Sequence, residues 1–536
     1  MDHIRVEIGP TIVAFLGFVA RQGWITPWMS LMLAFPAIGL PAAESAARPD
    51  QGVTVTPLEW LQAQPAPDFA PSSTLPPLTR WGWSMSFGVA KELADRWGYA
   101  VEFAGYVSEK VADEALANPA GRNGQCLELV AGNPEKYKLG VLVDREFPED
   151  MPPEAYLRDA QGNFIADDGK PKHLSPEMPE ACLKQAGQLS AVGLAKLRTR
   201  CPIAIIQNGG EYGLNVCGWA QKYWEQDPRV VAAKGDLSWY RYISRQKARE
   251  QKAVADAICA AVPDRLLYVF YTCGGDTHRH GTLETFSDDW AWDYADMRVC
   301  ADIATNEYYY HDFNSGWIGK DDMLTAALGA KGYELRFGMK NSYDYVCPGY
   351  KQDPKEPAAA EWDVSQPIDN DAKAFGDLRL YEGFLKCLYT EGMLGGVAGY
   401  FSYPQGGFDT AFSPDKPPQY LMQMVILGRV HALFSHQEAL LRHGDLLPGP
   451  NPHAKVKDQP AYEFPTGKPN QRVLARRLPG EPKWLVTAWA ADGVEAPATV
   501  EIPDLGRITL QARAIGSVYA ATLQDGKSVL RQLDAI

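Results

Sequence analysis

Two short stretches of this chain each place one glutamate just beyond an apolar run. They are "PIAIIQNGGEYGL" (202–214) and "TNEYYYHDFNSGW" (305–317). Glu211 follows two glycines and precedes Tyr212, while Glu307 lies between Asn306 and three consecutive tyrosines. Cleaving the acetal bond between two sugars takes two carboxyl groups, one protonated to leave the departing oxygen neutral and one ionised to attack or to activate water. Their surroundings must push the two pKa values apart. A glutamate at the end of an apolar strand is partly desolvated, which favours the raised pKa of a general acid, so Glu211 fits that role. Glu307, with the Asn306 amide and tyrosine hydroxyls to stabilise its charged form, fits the nucleophile.

Such a pair must be held by elements that end at one mouth. From Arg80 onward, short apolar runs alternate with longer helical patterns. The strand candidates are 79–88, 100–107, 139–145, 203–210, 266–275, 300–310, 334–343 and 395–404. Between them, stretches such as "EACLKQAGQLSAVGLAKLRTR" and "RYISRQKAREQKAVADAICAAV" carry apolar residues at helical spacing. A last helix is predicted over 417–444, opening on proline and closing on glycine. Apolar strands separated by helices imply a parallel sheet. Eight units imply an α/β fold, a (β/α)8 TIM barrel over 80–445, with the site at the C-terminal ends of the strands. An open doubly wound sheet is the runner-up, but no glycine-rich phosphate loop follows the first strand. Residues 471–536 change texture to short strands with turns, a small C-terminal antiparallel β-sandwich-like domain whose expected role is packing. Residues 48–79 and 446–470 read as proline-rich linkers.

Polar residues just past the apolar runs then become candidate substrate contacts: Asn208, Asn306, Trp81, Trp83, Arg145 and Tyr400. Trp81 and Trp83 alternate and so share a face, as a sugar platform or as barrel filling. Asp144 and Arg145 suit an ion pair bracing the third strand as well as a substrate clamp. His278 and His280 in "DTHRH" suit a polar loop or, in a metal-dependent hydrolase, ligands.

With 46% hydrophobic and 22% charged residues the 536-residue chain is globular, and its net charge of −14 argues against nucleic acid as partner. Neither apolar run near the N-terminus (11–20, 28–43) reaches the roughly 18–20 uninterrupted residues of a membrane span. Residues 1–47 approximate an export signal, or else a disordered extension, so a periplasmic or secreted location is expected. The nine cysteines have no zinc-like spacing. In an exported chain one or two disulfides are expected, and the odd count leaves a thiol over.

The stretch "IIQNGGEYG" resembles the acid/base segment of clan A glycoside hydrolases, particularly the Gln…Glu-Tyr-Gly run of the family 35 and family 42 β-galactosidases. It departs from them at Gly210, where those families place asparagine; here the asparagine is displaced to Asn208. The stretch "TNEYYYHDFNSGW" loosely resembles the family 35 nucleophile segment. The two motifs span under 25 residues. The resemblance implies a retaining β-glycosidase acting on an oligo- or polysaccharide, with no cofactor. It also implies a nucleophile after the seventh strand, whereas the count above puts Glu307 after the sixth. The rivals are Glu391 in "LYTEGMLGG", which is better placed at the end of a helix at the bottom of the barrel, and Asp344. A carbohydrate-binding barrel without the working pair is the alternative from outside enzymology.

Overall fold

The computed structural model describes residues 53–534 apart from 82–84, 145, 149, 167–171, 209–216, 271–293, 310–322, 348–377, 400–407 and 451–460. The described chain is mixed α/β, built on two parallel four-stranded sheets. One has the order β1 (Thr79–Arg80), β8 (Met393–Ala398), β7 (Ser342–Cys347), β6 (Glu307–Tyr309). The other runs β2 (Val101–Tyr106), β3 (Leu139–Val143), β4 (Ile203–Asn208), β5 (Leu267–Phe270). A bridge between Leu78 and Tyr99 links the first strands of the two sheets. On the other side, the Asp302 amide donates to the Tyr268 carbonyl at 2.9 Å.

Side-chain alternation gives each sheet two different faces. Ala204, Ile205 and Val269 of one sheet meet Tyr343, Tyr345 and Val397 of the other in a single inner cluster. The opposite faces pack on helices: Val141, Val143 and Ile206 lie against the helices Glu180–Arg198 and Trp239–Ala261. Tyr308, Val346 and Ala398 belong to the core that includes Phe384 and Leu388 of the helix Leu378–Glu391. Serines cap several of these helices as their short side chains allow, Ser86 accepting from Val89 N, Ser108 from Val111 N and Ser238 from Arg241 N.

The C-terminal region is antiparallel. A five-stranded sheet, β15 (Lys527–Gln532), β14 (Ser517–Gln524), β11 (Lys483–Ala490), β10 (Gln471–Arg477), β9 (Asp445–Leu446), is covered by the hairpin β12 (Ala496–Ile502)–β13 (Gly506–Ala512). Val473, Trp484, Val486 and Ala488 face that hairpin. Leu474, Leu485 and Trp489 point the other way, into the core that includes Phe384. Both faces of β10 and β11 are thus buried, and contact with the helix is close enough that a methyl at Gly383 would collide with the Trp489 indole.

Four expectations need correction. The 48–79 stretch is no plain linker. Pro57–Ala63 is a helix with a capping box, Thr56 N donating to Glu59 Oε2 at 2.8 Å and Glu59 N to Thr56 Oγ1 at 3.3 Å, and it buries Trp60 and Leu61. In the 446–470 stretch, Leu446 pairs in the sheet and Glu463 bridges to Leu474. The seventh strand is Ser342–Cys347, not 334–343. The preceding helix runs from Met323 to Arg336, buries Leu324, Ala327, Leu328 and Lys331 at helical spacing, and stops where Gly338 adopts φ +78°. The last helix is two, Gln419–Ser435 and Glu438–His443.

Candidate active site

Glu307 opens β6 and is in register with Tyr345 of β7. Residues side by side in adjacent strands share a face, and Tyr345 lies in the inner cluster, so Glu307 faces inward, half-buried, two residues before the C-terminal end of its strand. Tyr308, the next residue, turns outward onto Phe384 with ring centroids 6.0 Å apart. Trp81 follows β1, its amide donating to the Ala398 carbonyl at 3.1 Å, and its indole meets the Tyr345 ring edge-on with centroids 5.7 Å apart. The structure therefore brings Glu307, Tyr345 and Trp81 to one inner surface. Gln207 joins that face from β4, level with Leu142 and Val269.

Asn208 and Asn306 turn the other way, for the same reason of alternation. Asn208 Nδ2 donates to Tyr268 Oη at 2.8 Å and to Gln251 Oε1 of the helix Trp239–Ala261 at 3.4 Å. Asn306 Nδ2 donates to Glu334 Oε1 of the helix Met323–Arg336 at 2.5 Å. Expected as substrate contacts, both tie strands to helices. Glu211, Trp83, Arg145, Tyr400, His278 and His280 lie outside the described residues. β4 ends at Asn208, three residues before Glu211, and it runs parallel to its neighbours.

Beside Trp81 the two sheets meet over a buried ion pair, Arg80 Nε to Glu102 Oε2 at 2.9 Å. Arg122 reaches the same place, its Nε donating to the Met85 carbonyl at 3.1 Å and its Nη1 to the Glu102 carbonyl. Burial outweighs the attraction of Arg80 and Arg122 and pushes the Glu102 carboxyl up to about 7.

The rival carboxylates lie elsewhere. Asp344, between the inward Tyr343 and Tyr345, faces the helices, with Ser342 Oγ donating to its Oδ2 at 2.6 Å. Burial, reinforced by the Glu334 charge, raises its pKa to about 7. Glu391 ends the helix Leu378–Glu391 immediately before β8, so it lies at the N-terminal end of that strand, buried, and burial holds it well above the usual carboxylate range. Arg336 and Lys340 precede β7 and so belong to the same end, Lys340 pairing with Asp445 at 2.6 Å. Sequence reasoning missed Gln207, Glu102 and Tyr345. The first follows from period two after Ile205; the last needed the seventh strand placed correctly.

No protein-family model matches the chain, and no curated protein matches its sequence. Among solved structures, a β-galactosidase from Rahnella sp. is similar with a TM-score of 0.41 at 12% identity, covering 72% of this chain and 60% of its own. A GH30 endoxylanase from Clostridium papyrosolvens matches at 0.37 and 10% identity, over 86% of this chain and 95% of its own. An α-L-fucosidase isoenzyme from Paenibacillus thiaminolyticus matches at 0.33 and 12%, over 61% of this chain, which spans only 41% of that protein. At these scores the likenesses decide neither fold nor function, which rest on the chain's own residues.

Proposed function

We propose that this protein is a retaining glycoside hydrolase acting on β-linked oligo- or polysaccharides, its two parallel sheets closing into one (β/α)8 barrel. Glu307 is the nucleophile and Glu211 the acid/base. In the first step a Glu307 carboxylate oxygen bonds to the anomeric carbon while the glycosidic oxygen leaves with its electron pair and takes the Glu211 proton. In the second, Glu211 removes a proton from water, and that water displaces Glu307. The observation that carries the reading is the inward placement of Glu307 on β6, flanked by Tyr345 with Trp81 edge-on to it. A carboxylate beside an aromatic ring on the inner face, with an indole nearby, suits a neutral ring that stacks while it reacts. Further support for the pair is sequence-based: Glu211 comes three residues after β4. Trp81 and Gln207 are the described groups placed to contact sugar; Trp83, Arg145 and Tyr400 complete the proposed contacts, and Asn208 and Asn306 act as positioning residues. Residues 1–47 would direct export to the periplasm or medium.

The test is reducing-sugar release from a panel of β-glucans, galactans, xylans and mannans by the wild type, Glu211→Gln and Glu307→Gln. Release by the wild type alone supports the reading. Retention of glycans on an affinity gel without release would instead make the chain a binding barrel, and release by both variants would remove the pair.

A further inference from the structure

Glu307 sits on a weak strand. β6 has three residues and, among the described residues, a continuous ladder on one side only, to β7. A slip of one residue would turn Glu307 onto the helices and Tyr308 inward, because the two faces alternate. Something must hold the register, and the residue before Glu307 is unusually well anchored. Asn306 is 1% exposed; its backbone N donates to Asp344 Oδ1 at 3.0 Å and its carbonyl accepts from Tyr345 N at 2.8 Å. Its side-chain Nδ2 lies 3.4 Å from Asp344 Oδ1 and 2.5 Å from Glu334 Oε1. Lys331 pairs with Glu334 on the far side, and Ser342 holds the second Asp344 oxygen. Lys331, Glu334, Ser342 and Asp344 are all within 1% of fully buried.

We propose that Asp344 and Glu334 form a positioning network that acts through Asn306 to lock the register of β6 and aim Glu307 at the inner face. The inference rests on Glu307 being the nucleophile. Burying carboxylates behind a sheet is costly unless they are satisfied, and an apolar filling would pack the same space. What the polar arrangement adds is direction: an aliphatic side chain at 344 would leave the Asn306 N–H buried without an acceptor and the strand free to slide. Misplacing a reacting group by about 1 Å can cost on the order of 100-fold in rate, so a small loss of register is enough to matter.

The network also has a pH signature. Asp344 is faced by Lys331 and Glu334 from one helix, by Tyr389 and Glu391 from another, and Glu391 in turn by Arg476 of β10. With its pKa near 7, Asp344 gains a proton as pH falls through neutrality and gives up part of its acceptor capacity towards Asn306.

The experiment is inactivation of the full chain by 2-deoxy-2-fluoro-β-galactosyl fluoride, with the gluco and xylo counterparts run in parallel. A carboxylate oxygen forms a bond to C1 and fluoride departs with the bonding pair, so no general acid is needed and the rate reports the nucleophile. Peptide mapping finds the labelled residue. Wild-type label on Glu307 upholds the reading of the site; no label, or label on another carboxylate, removes that reading and this inference with it. Given label on Glu307, Asp344→Ala should slow the inactivation step roughly 10- to 100-fold, with the inhibitor's dissociation constant changed by less than about threefold. Asp344→Asn keeps one acceptor for the Asn306 N–H but mimics the protonated acid, so it should react faster than Asp344→Ala, hold the wild type's acid-side rate at every pH, and lose the fall-off that the wild type has below pH ~7. Should Asp344→Ala fail to fold, the pH profile of Asp344→Asn decides alone. Equal rates in the folded variants, or an Asp344→Asn profile identical to the wild type, would overturn the proposal while leaving Glu307 in place.

Discussion

Glu307 and Tyr345 stand side by side on β6 and β7 with their side chains on the same inner face, although they are separated in sequence by a helix and a turn. Tyr345 in turn meets Trp81 edge-on. A half-buried carboxylate and two aromatic rings are thus brought together from β6, β7 and the residue after β1, and several tests follow from how they are held.

If Trp81 forms part of a sugar platform, Trp81→Ala should raise KM on the most active glycan by roughly 10-fold while changing kcat much less, since stacking on a desolvated ring is worth about 0.5–1.5 kcal/mol beyond its area. The matching control is Tm. A fall in Tm with KM unchanged would make Trp81 a packing residue of the inner cluster and nothing more.

Glu211 and Glu307 are distinguishable by leaving group. Glu211→Gln should lose roughly 10²–10⁴-fold on a natural glycan yet recover on an activated aryl glycoside that needs no proton, and azide should accelerate it by capturing the glycosyl intermediate. Glu307→Gln should recover under neither condition. The reverse pattern would exchange their roles.

Arg476 ties the C-terminal sheet to the ends of two helices. Its guanidinium donates to the Leu440, Leu441, Thr390 and Gly444 carbonyls at 3.1, 3.0, 3.2 and 2.6 Å, satisfying acceptors that a helix terminus leaves open. Arg476→Met should therefore cost about 3 kcal/mol or more in urea unfolding, each orphaned buried acceptor costing about 1–3 kcal/mol. Arg476→Lys should restore little of it, because an ammonium cannot reproduce the fork. A loss below about 1 kcal/mol would show the two regions to be only loosely coupled.

Glu102 should make stability depend on pH in a defined direction. Its folded pKa, near 7, lies above the ordinary value of about 4.3. The native state therefore binds the proton more tightly, and this contribution is fully present below pH ~4.3 and lost as pH rises through ~7. Between those limits the unfolding free energy should fall by up to about 1.4 kcal/mol per pH unit from this group, and Glu102→Gln should remove that share of the slope. Parallel slopes for wild type and variant from pH 5 to 7 would mean that Arg80 keeps Glu102 ionised throughout.

Cysteines 126, 182, 201, 259, 300 and 387 are free thiols. Three of the nine remain, so the one or two disulfides expected of an exported chain reduce to one at most. Burial pushes Cys201 and Cys300 up to about 12 and Cys259 to about 11. A thiol-reactive disulfide reagent at pH 8 should label these three within minutes only after unfolding, the thiolate being the reactive form. Fast labelling of the native protein at any of them would contradict the burial.

Much of this fold is legible locally. The helices Glu180–Arg198 and Trp239–Ala261, the strand Ile203–Asn208 and the C-terminal strands all follow from periods of 3.6 and 2, which a short stretch carries by itself. Where local signals conflicted, reading failed. Proline content hid the helix Pro57–Ala63 even though its capping box was present in sequence. The apolar Leu335 and Phe337 pulled the seventh strand back into a helix, and with it went the alternation that sets Tyr343 and Tyr345 inward and Asp344 outward.

By itself the sequence determined which residues could act as acid and nucleophile, the alternation of strands and helices that places them, and the antiparallel character of the C-terminal region. Only the tertiary structure decided that Asn208 and Asn306 face helices, that Asp344 and Glu334 converge behind Glu307, and that Arg476 closes helix ends 36 and 86 residues away. Periodicity is a property of neighbouring residues and survives in any window. The direction of a side chain relative to a distant partner depends on the register of strands the chain has yet to pair, and no local pattern encodes it.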